Sequence, residues 1–175
     1  MTVTDKNAAR FREAMSRVPM AVHVVTTDGP GGRHGATATA VASVTDAPPT
    51  LLVCLNRTSA IAAKALANGL VAVSALGEDH EPVARAFARS SGGRPDDRFD
   101  VGRWERRITG APVLVDAIAS FEGRVTASHE VGSHVVLMVE LDGVSAPESE
   151  REGLLYRRRA YASAAEARAV DPADA

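Results

Sequence analysis

The stretch Gly35-Ala36-Thr37-Ala38-Thr39-Ala40-Val41-Ala42-Ser43-Val44, then a Pro48-Pro49 break, then Thr50-Leu51-Leu52-Val53-Cys54-Leu55-Asn56-Arg57-Thr58-Ser59, governs how the rest of the chain is read. Its first part is extended backbone built from small and β-branched residues. In its second, Thr50 to Leu55 is a continuous apolar run of strand length, expected to be covered on both faces. Ser59 can then cap a helix carrying Ile61, Ala65 and Leu66, with Gly69 at the position favoured just past a helix end.

Working outward, Met20 to Thr27 is rich in β-branched residues, and Asp28-Gly29-Pro30-Gly31-Gly32 is a turn, so these residues and the run from Gly35 predict a hairpin. Upstream, Phe11, Met15 and Val18 recur at spacings of four and three and predict the buried stripe of a helix over 7–17, ended by Pro19. Downstream come a strand at Leu70–Leu76 and a helix at Asp79–Ser90, which tolerates Pro82 in its first turn and buries Val83, Ala86 and Phe87. Ser91–Asp100 reads as a surface loop. Ala119, Phe121, Gly123, Val125 and Ala127 alternate with Ser120, Glu122, Arg124, Thr126 and Ser128, the period of a half-buried strand facing the core with the first set. His134–Val144 pairs with it, and Leu154–Tyr156 is a short last strand. Many strands at short spacing with three attached helices predict a mainly β fold with peripheral helices, an antiparallel barrel.

The 175 residues carry a formal net charge of −2, which offers no broad basic surface for a nucleic-acid backbone. No apolar run approaches the length needed to span a bilayer, and charges at Asp5, Lys6, Arg10, Arg12 and Glu13 stand where a signal peptide would be apolar. With one cysteine, Cys54, no intrachain disulfide can form, and a cytoplasmic location is expected. Residues 1–162 read as a single domain and 163–175 as a disordered C-terminal tail, the small-residue run from Ala162 having little to bury.

Two chemical demands meet in the opening stretch. Small side chains at Ala36, Ala38 and Ala40 let a flat aromatic ligand lie against the strand, and the hydroxyls of Thr37, Thr39 and Ser43 can bond its polar edge. Asn56, Arg57 and Ser59 stand at a helix start, where free N–H groups, the helix dipole and a guanidinium favour a phosphate. The plainer reading, a strand packed under a helix and an ordinary cap, stays open at this point.

In this order along the chain, the sequence resembles the short-chain flavin reductases with the split-barrel FMN-binding fold, the reductase components of two-component flavin-dependent monooxygenases. The resemblance spans about Phe11 to Tyr161 and rests on Met15-Ser16-Arg17-Val18-Pro19, His34 to Ala40, Ser43-Val44, Pro48-Pro49, Cys54 to Ser59, Phe87-Ala88-Arg89, Gly110 to Leu114 and Leu155 to Arg159. It implies an antiparallel split β-barrel and a homodimer with flavin near the subunit interface. It also implies an NAD(P)H:flavin oxidoreductase that passes hydride from NADH or NADPH to FAD or FMN, the reduced flavin then diffusing to a separate monooxygenase. Carried over, Thr37, Ala38, Thr39, Ser43 and Val44 contact the flavin ring or ribityl chain. Asn56, Arg57 and Ser59 hold the phosphate, and Cys54, Phe87 and Arg89 complete the flavin site. His134, Tyr156 and Arg159 fall on the nicotinamide nucleotide. The family usually shows Gly-Asp-His where this chain has Gly132-Ser133-His134, losing a carboxylate that could fix the imidazole tautomer. That departure motivates an alternative: a flavin-binding carrier or sensor without reductase activity.

No nucleophile or acid–base residue is required if the cofactors carry the reaction. Cys54 sits in an apolar strand and reads as core rather than nucleophile. His129 and His134 lack a third ligand nearby, so no metal is expected. Gly29-Pro30-Gly31-Gly32 is a hairpin turn without the context of a dinucleotide fingerprint. His23 and His80 have no partners that the sequence identifies.

Overall fold

Seven antiparallel strands form the main sheet of the computed structural model, which describes residues 3–88, 95–148 and 151–166. In chain order the elements are α1 (Val3–Arg17), β1 (Met20–Ala21), β2 (His23–Thr27), β3 (His34–Ala38), β4 (Val41–Asp46), β5 (Pro49–Asn56), α2 (Ala60–Asn68), β6 (Leu70–Ala75) and α3 (Glu81–Ala88). They continue with β7 (Trp104–Arg106), β8 (Pro112–Leu114), β9 (Ala119–Val131), β10 (His134–Ser145), β11 (Leu154–Arg157) and β12 (Ala160–Ser163). The main sheet runs β3-β2-β6-β9-β10-β5-β4. β3 and β4 are joined by only Thr39 and Ala40, yet stand at opposite ends of that order. The curled sheet is therefore split between them, as expected for the split barrel. A second sheet, β1-β11-β12, and the β7–β8 hairpin lie outside it.

Local chemistry accounts for the elements nearest the split. β2 and β3 pair from His23↔Ala38 to Thr27↔His34, and their turn is clamped by Asn68 at the end of α2. The Asn68 side chain accepts from the Gly31 amide (2.6 Å) and donates to Thr27 Oγ1 (3.0 Å) and the Gly32 carbonyl (3.2 Å). Helix α2 begins at Ser59, whose hydroxyl accepts from the Ala62 amide, and ends at Gly69 in the left-handed region at φ 69°. Both ends are as the sequence predicts.

Two cores follow. Val25, Val53, Leu55, Ile61, Ala65, Val71, Val73, Val135, Leu137 and Val139 fill the interior of the main sheet under α2. Val22, Val24, Leu76, Val83, Phe87, Leu114 and Leu154 join the sheet to α3 and to β11. In the second core Phe87, Phe99 and Trp104 stack pairwise with centroids 5.0–5.3 Å apart. Gly35 on β3 allows this approach, because a Cβ there would lie 2.5 Å from the Phe87 ring.

Several expectations need correction. The small-residue strand stops at Ala38, where the chain crosses the split, and resumes as β4. One face of β5 is buried at Leu51, Val53 and Leu55, but Leu52 and Cys54 on the other are only partly covered. On β9 the outward residues Ser120 and Glu122 are buried (5% and 4% exposed). The segment preceding β8 folds over them, and the Thr109 amide and hydroxyl both donate to the Glu122 carboxylate (2.9 and 3.0 Å). From Arg124 to Ser128 the predicted alternation holds. The α1 stripe is uncovered, with Phe11 66%, Met15 38% and Val18 47% exposed, and Leu66 faces away from the α2 core at 45%. Pro95–Asp100 is a 3-10 turn rather than open loop. The chain past Tyr161 is ordered further than expected, because β12 pairs with β11 through Leu154↔Ser163. Residues 167–175 of the expected tail lie outside the described residues.

Candidate functional site

The end of β5 and the start of α2 make a compact polar corner. The Asn56 side-chain oxygen accepts from the Thr58 amide (2.9 Å) and hydroxyl (2.8 Å), closing the turn and leaving its NH2 group directed away from that bond pair. Ser59 donates its hydroxyl to the Asn56 carbonyl (2.6 Å) and accepts from the Ala62 amide (3.3 Å). The ordinary cap reading is therefore correct for the Ser59 side chain. Helix geometry leaves the amides of Ala60 and Ile61 without intrahelical acceptors, so the anion-binding capacity belongs to the helix end and to Arg57. The Arg57 main-chain amide donates to the Ser133 carbonyl (3.0 Å), and its guanidinium meets Glu130 at 3.2 Å.

That same register brings His134 to the corner, since it pairs with Asn56 across β10 and β5. Gly132, at φ 57°, supplies the left-handed residue of the tight β9–β10 turn. The Ser133 hydroxyl lies 2.9 Å from His134 Nδ1, so the residue standing in place of the family's carboxylate still contacts the imidazole.

The platform residues flank this corner. The Cys54 amide donates to the Ala40 carbonyl (2.9 Å) and Val41 pairs with Val53, so the segment from Thr39 runs along β5. Ser43 pairs with Leu51, five residues and roughly 16 Å along the strand from Asn56. Ser43 and Val44 are exposed, while Thr37, Ala38, Thr39 and Cys54 are partly buried. Thr37 donates its hydroxyl to the Ala84 carbonyl (2.7 Å), which docks α3 onto β3 and takes up the hydrogen expected for a ligand. Beneath the platform, burial lowers the His23 pKa below 6.5.

Tyr156 and Arg159 belong to a separate cleft of about 390 Å³ that they line with Arg85, Ala88 and Tyr161. Tyr156 and Tyr161 meet edge to face at 5.2 Å, and the Arg85 guanidinium lies 5.1 Å from the Tyr161 ring. Desolvation raises the Tyr161 pKa above 10, against the opposing charge of Arg85. The β11–β12 turn has both Arg158 (φ 50°) and Arg159 (φ 63°) in the left-handed region, as a two-residue hairpin turn of this hand demands. It is held against α1, where the Arg158 amide donates to the Ser16 carbonyl (2.5 Å) and Arg159 meets Glu13 at 3.5 Å.

The structure thus joins Asn56, Arg57, Ser59 and His134, sets Cys54 and the Thr37–Val44 segment beside them, and keeps Tyr156 and Arg159 apart in the second sheet. Phe87 is 1% exposed, so it supports β3 from below instead of facing a ligand. Arg89 lies outside the described residues. His80 does have partners: the Gly77 amide donates to its Nδ1 (3.0 Å), and Asp116 lies 3.4 Å from Nε2. Arg85, Tyr161 and Glu130 escaped sequence reasoning. Only Arg85 carried a signal, its i, i+4 spacing from Glu81, and that spoke of helix stability.

Comparison with known proteins supplies the context. The flavin reductase like domain matches residues 15–165. The chain is 53% identical over 157 residues to "FMN reductase (NADH) RutF 1" of Methylorubrum extorquens, covering 89% of this chain and 76% of that protein. It is 41% identical over 161 residues to the 4-hydroxyphenylacetate 3-monooxygenase reductase component of Pseudomonas aeruginosa, covering 92% and 94%. Among solved structures, Streptomyces globisporus NADH:FAD oxidoreductase SgcE6 in complex with NAD and FAD fragments superposes with a TM-score of 0.81 at 28% identity, covering 98% of each chain.

Proposed function

The chain belongs to the flavin reductase like family and is an NAD(P)H-dependent flavin reductase, and from that premise we propose that it reduces exchangeable flavin with NADH and releases it to a separate monooxygenase. The observation that carries the site reading is the pairing of His134 with Asn56, which sets an imidazole beside a helix start and the Arg57 guanidinium. FMN is the expected acceptor, following the name of the relative at 53% identity. FAD shares the ring and the first phosphate and is the second acceptor to test.

A bound flavin would supply the redox chemistry, as acceptor of hydride from a reduced nicotinamide. The residues of this chain bind and orient. Arg57, the Ala60 and Ile61 amides and the Asn56 NH2 group hold the phosphate. Thr39, Ser43, Val44 and the small residues at Ala38 and Ala40 present a flat surface for the ring, with Cys54 at its edge. His134, oriented by Ser133, contacts the nicotinamide, and Tyr156 and Arg159 hold the rest of that nucleotide. Hydride transfer between the two rings needs no side chain as nucleophile or strong base.

The monooxygenase partner is supported by the name of the relative at 41% identity. A homodimer is supported by the uncovered stripe of Phe11, Met15 and Val18 together with exposed Val44; a second copy is the proposed cover, and a monomeric mass in sedimentation would remove it. The cytoplasm, where NADH is available, is the proposed location; no helix among the described residues is long and apolar enough to cross a membrane.

The direct test mixes purified protein with NADH or NADPH and excess FMN or FAD and follows the loss of reduced nicotinamide absorbance. NADH consumption that rises with added FMN is expected. Consumption independent of added flavin would rule out release of an exchangeable product.

A further inference from the structure

We propose that Glu130 is a positioning residue that competes with flavin phosphate for Arg57 and so sets how readily flavin is exchanged. The inference rests on the reading of Arg57 as the phosphate-holding residue. The Arg57 main chain is pinned by its bond to the Ser133 carbonyl, while its side chain is free to choose among anions within reach. Glu130, next to the β9–β10 turn, holds the guanidinium at 3.2 Å. Both side chains are half-exposed or more, Arg57 at 51% and Glu130 at 68%, so the pair is weak enough for a ligand to break. Seating a phosphate on Arg57 therefore displaces a carboxylate, and on departure the carboxylate takes the guanidinium back.

This arrangement suits a protein whose flavin is a substrate rather than a resident group. A bare guanidinium at a helix start would retain the phosphate, and with it the product. An exchangeable counter-charge lowers the net gain of binding without removing the recognition of phosphate. Because Glu130 acts only through Arg57, its influence is confined to ligands that carry a phosphate. Riboflavin, which has the ring but no phosphate, is the discriminating probe.

The experiment measures dissociation constants of FMN and riboflavin, by quenching of flavin fluorescence, for the full chain and for Glu130→Gln, Arg57→Ala and the double variant. Glu130→Gln is expected to tighten FMN about two- to five-fold, the range set by an exposed ion pair, and to leave riboflavin unchanged. Equal tightening of both ligands, or none of either, would overturn the proposal. In the Arg57→Ala background the Glu130→Gln effect should vanish; if it persists, Glu130 repels phosphate directly and the ion pair is not the device. Arg57→Ala alone separates the two levels. If it weakens FMN while Glu130→Gln does nothing, only the competition fails. If it leaves FMN affinity unchanged, the phosphate reading fails and the competition falls with it. Both substitutions are at exposed positions, and an unchanged thermal midpoint confirms that affinity rather than folding is being read.

Discussion

The corner at Asn56–Ser59 and the cleft at Tyr156 and Arg159 are built in opposite ways. The corner is ordered by hydrogen bonds among four consecutive residues, and one neighbouring turn completes it. The cleft needs three separate parts, α1, α3 and the β11–β12 hairpin, and its Arg159–Glu13 contact joins residues 146 positions apart. A binding element written in contiguous sequence persists wherever its strand and helix form. An assembled cleft exists only when distant elements dock, and it can change shape without disturbing the corner.

If Asn56–Ser59 serves the flavin phosphate, and the cleft serves the part of the nicotinamide nucleotide beyond His134, substitutions at Arg57 and Tyr156 should separate cleanly. The largest effect is expected from Arg57→Ala. A hydrogen bond to a charged group is worth about 1.5–3 kcal/mol, so the flavin KM should rise about ten- to a hundredfold. Turnover at saturating flavin should stay within about two-fold, because a phosphate contact is made equally in ground and transition states. A comparable rise in the NADH KM would erase the distinction between the regions. Next comes Tyr156→Ala, which removes one ring of the aromatic pair. Losing an aromatic contact with the nucleotide, of the order of 0.5–1.5 kcal/mol, should raise the NADH KM by about two- to twelvefold and leave the flavin KM alone. If the flavin KM moved instead, the cleft would be part of the flavin site.

The smallest effect sets the background for both. Burial holds His23 and His34 below 6.5, with Arg98 and Lys64 adding to the depression at His34. Below about pH 6.5 the unfolded chain binds protons that the folded chain refuses. Stability is therefore complete above that pH and declines as pH falls through it. Thermal midpoints measured from pH 7.5 down to 5.5 should drop by about 2–4 °C per kcal/mol lost. A His34→Gln variant that remains folded should show a shallower decline, and one with the same slope would clear His34 of the effect.

The same contrast explains what could be read in advance. The caps at Ser59 and Gly69, the turn before β3 and the placing of Arg57 beside a helix start follow from short-range rules, and the structure has them. Ser120 and Glu122 were expected to face solvent because period-two reasoning sees only one strand. Their burial depends on Thr109, which lies beyond any local window. Phe87 belonged to a motif matched to the flavin, yet its depth comes from Phe99, Trp104 and the missing side chain at Gly35. Arg85 and Tyr161 meet only because β12 forms from Ala160–Ser163, a run too short and too poor in large apolar side chains to announce a strand.

The split between β3 and β4 has a mechanical consequence. Prising a closed barrel apart means breaking a ladder of hydrogen bonds along a whole strand. Here, among the described residues, β3 and β4 share no ladder; the Thr39–Ala40 link joins them, and the Cys54 amide bonds the Ala40 carbonyl on the β5 side. Opening that seam breaks no strand ladder between β3 and β4, and what resists it is the packing of Ala36, Ala38 and Val41 on the core under α2. The fold is thus a hoop fastened at one point by packed side chains in place of a strand ladder.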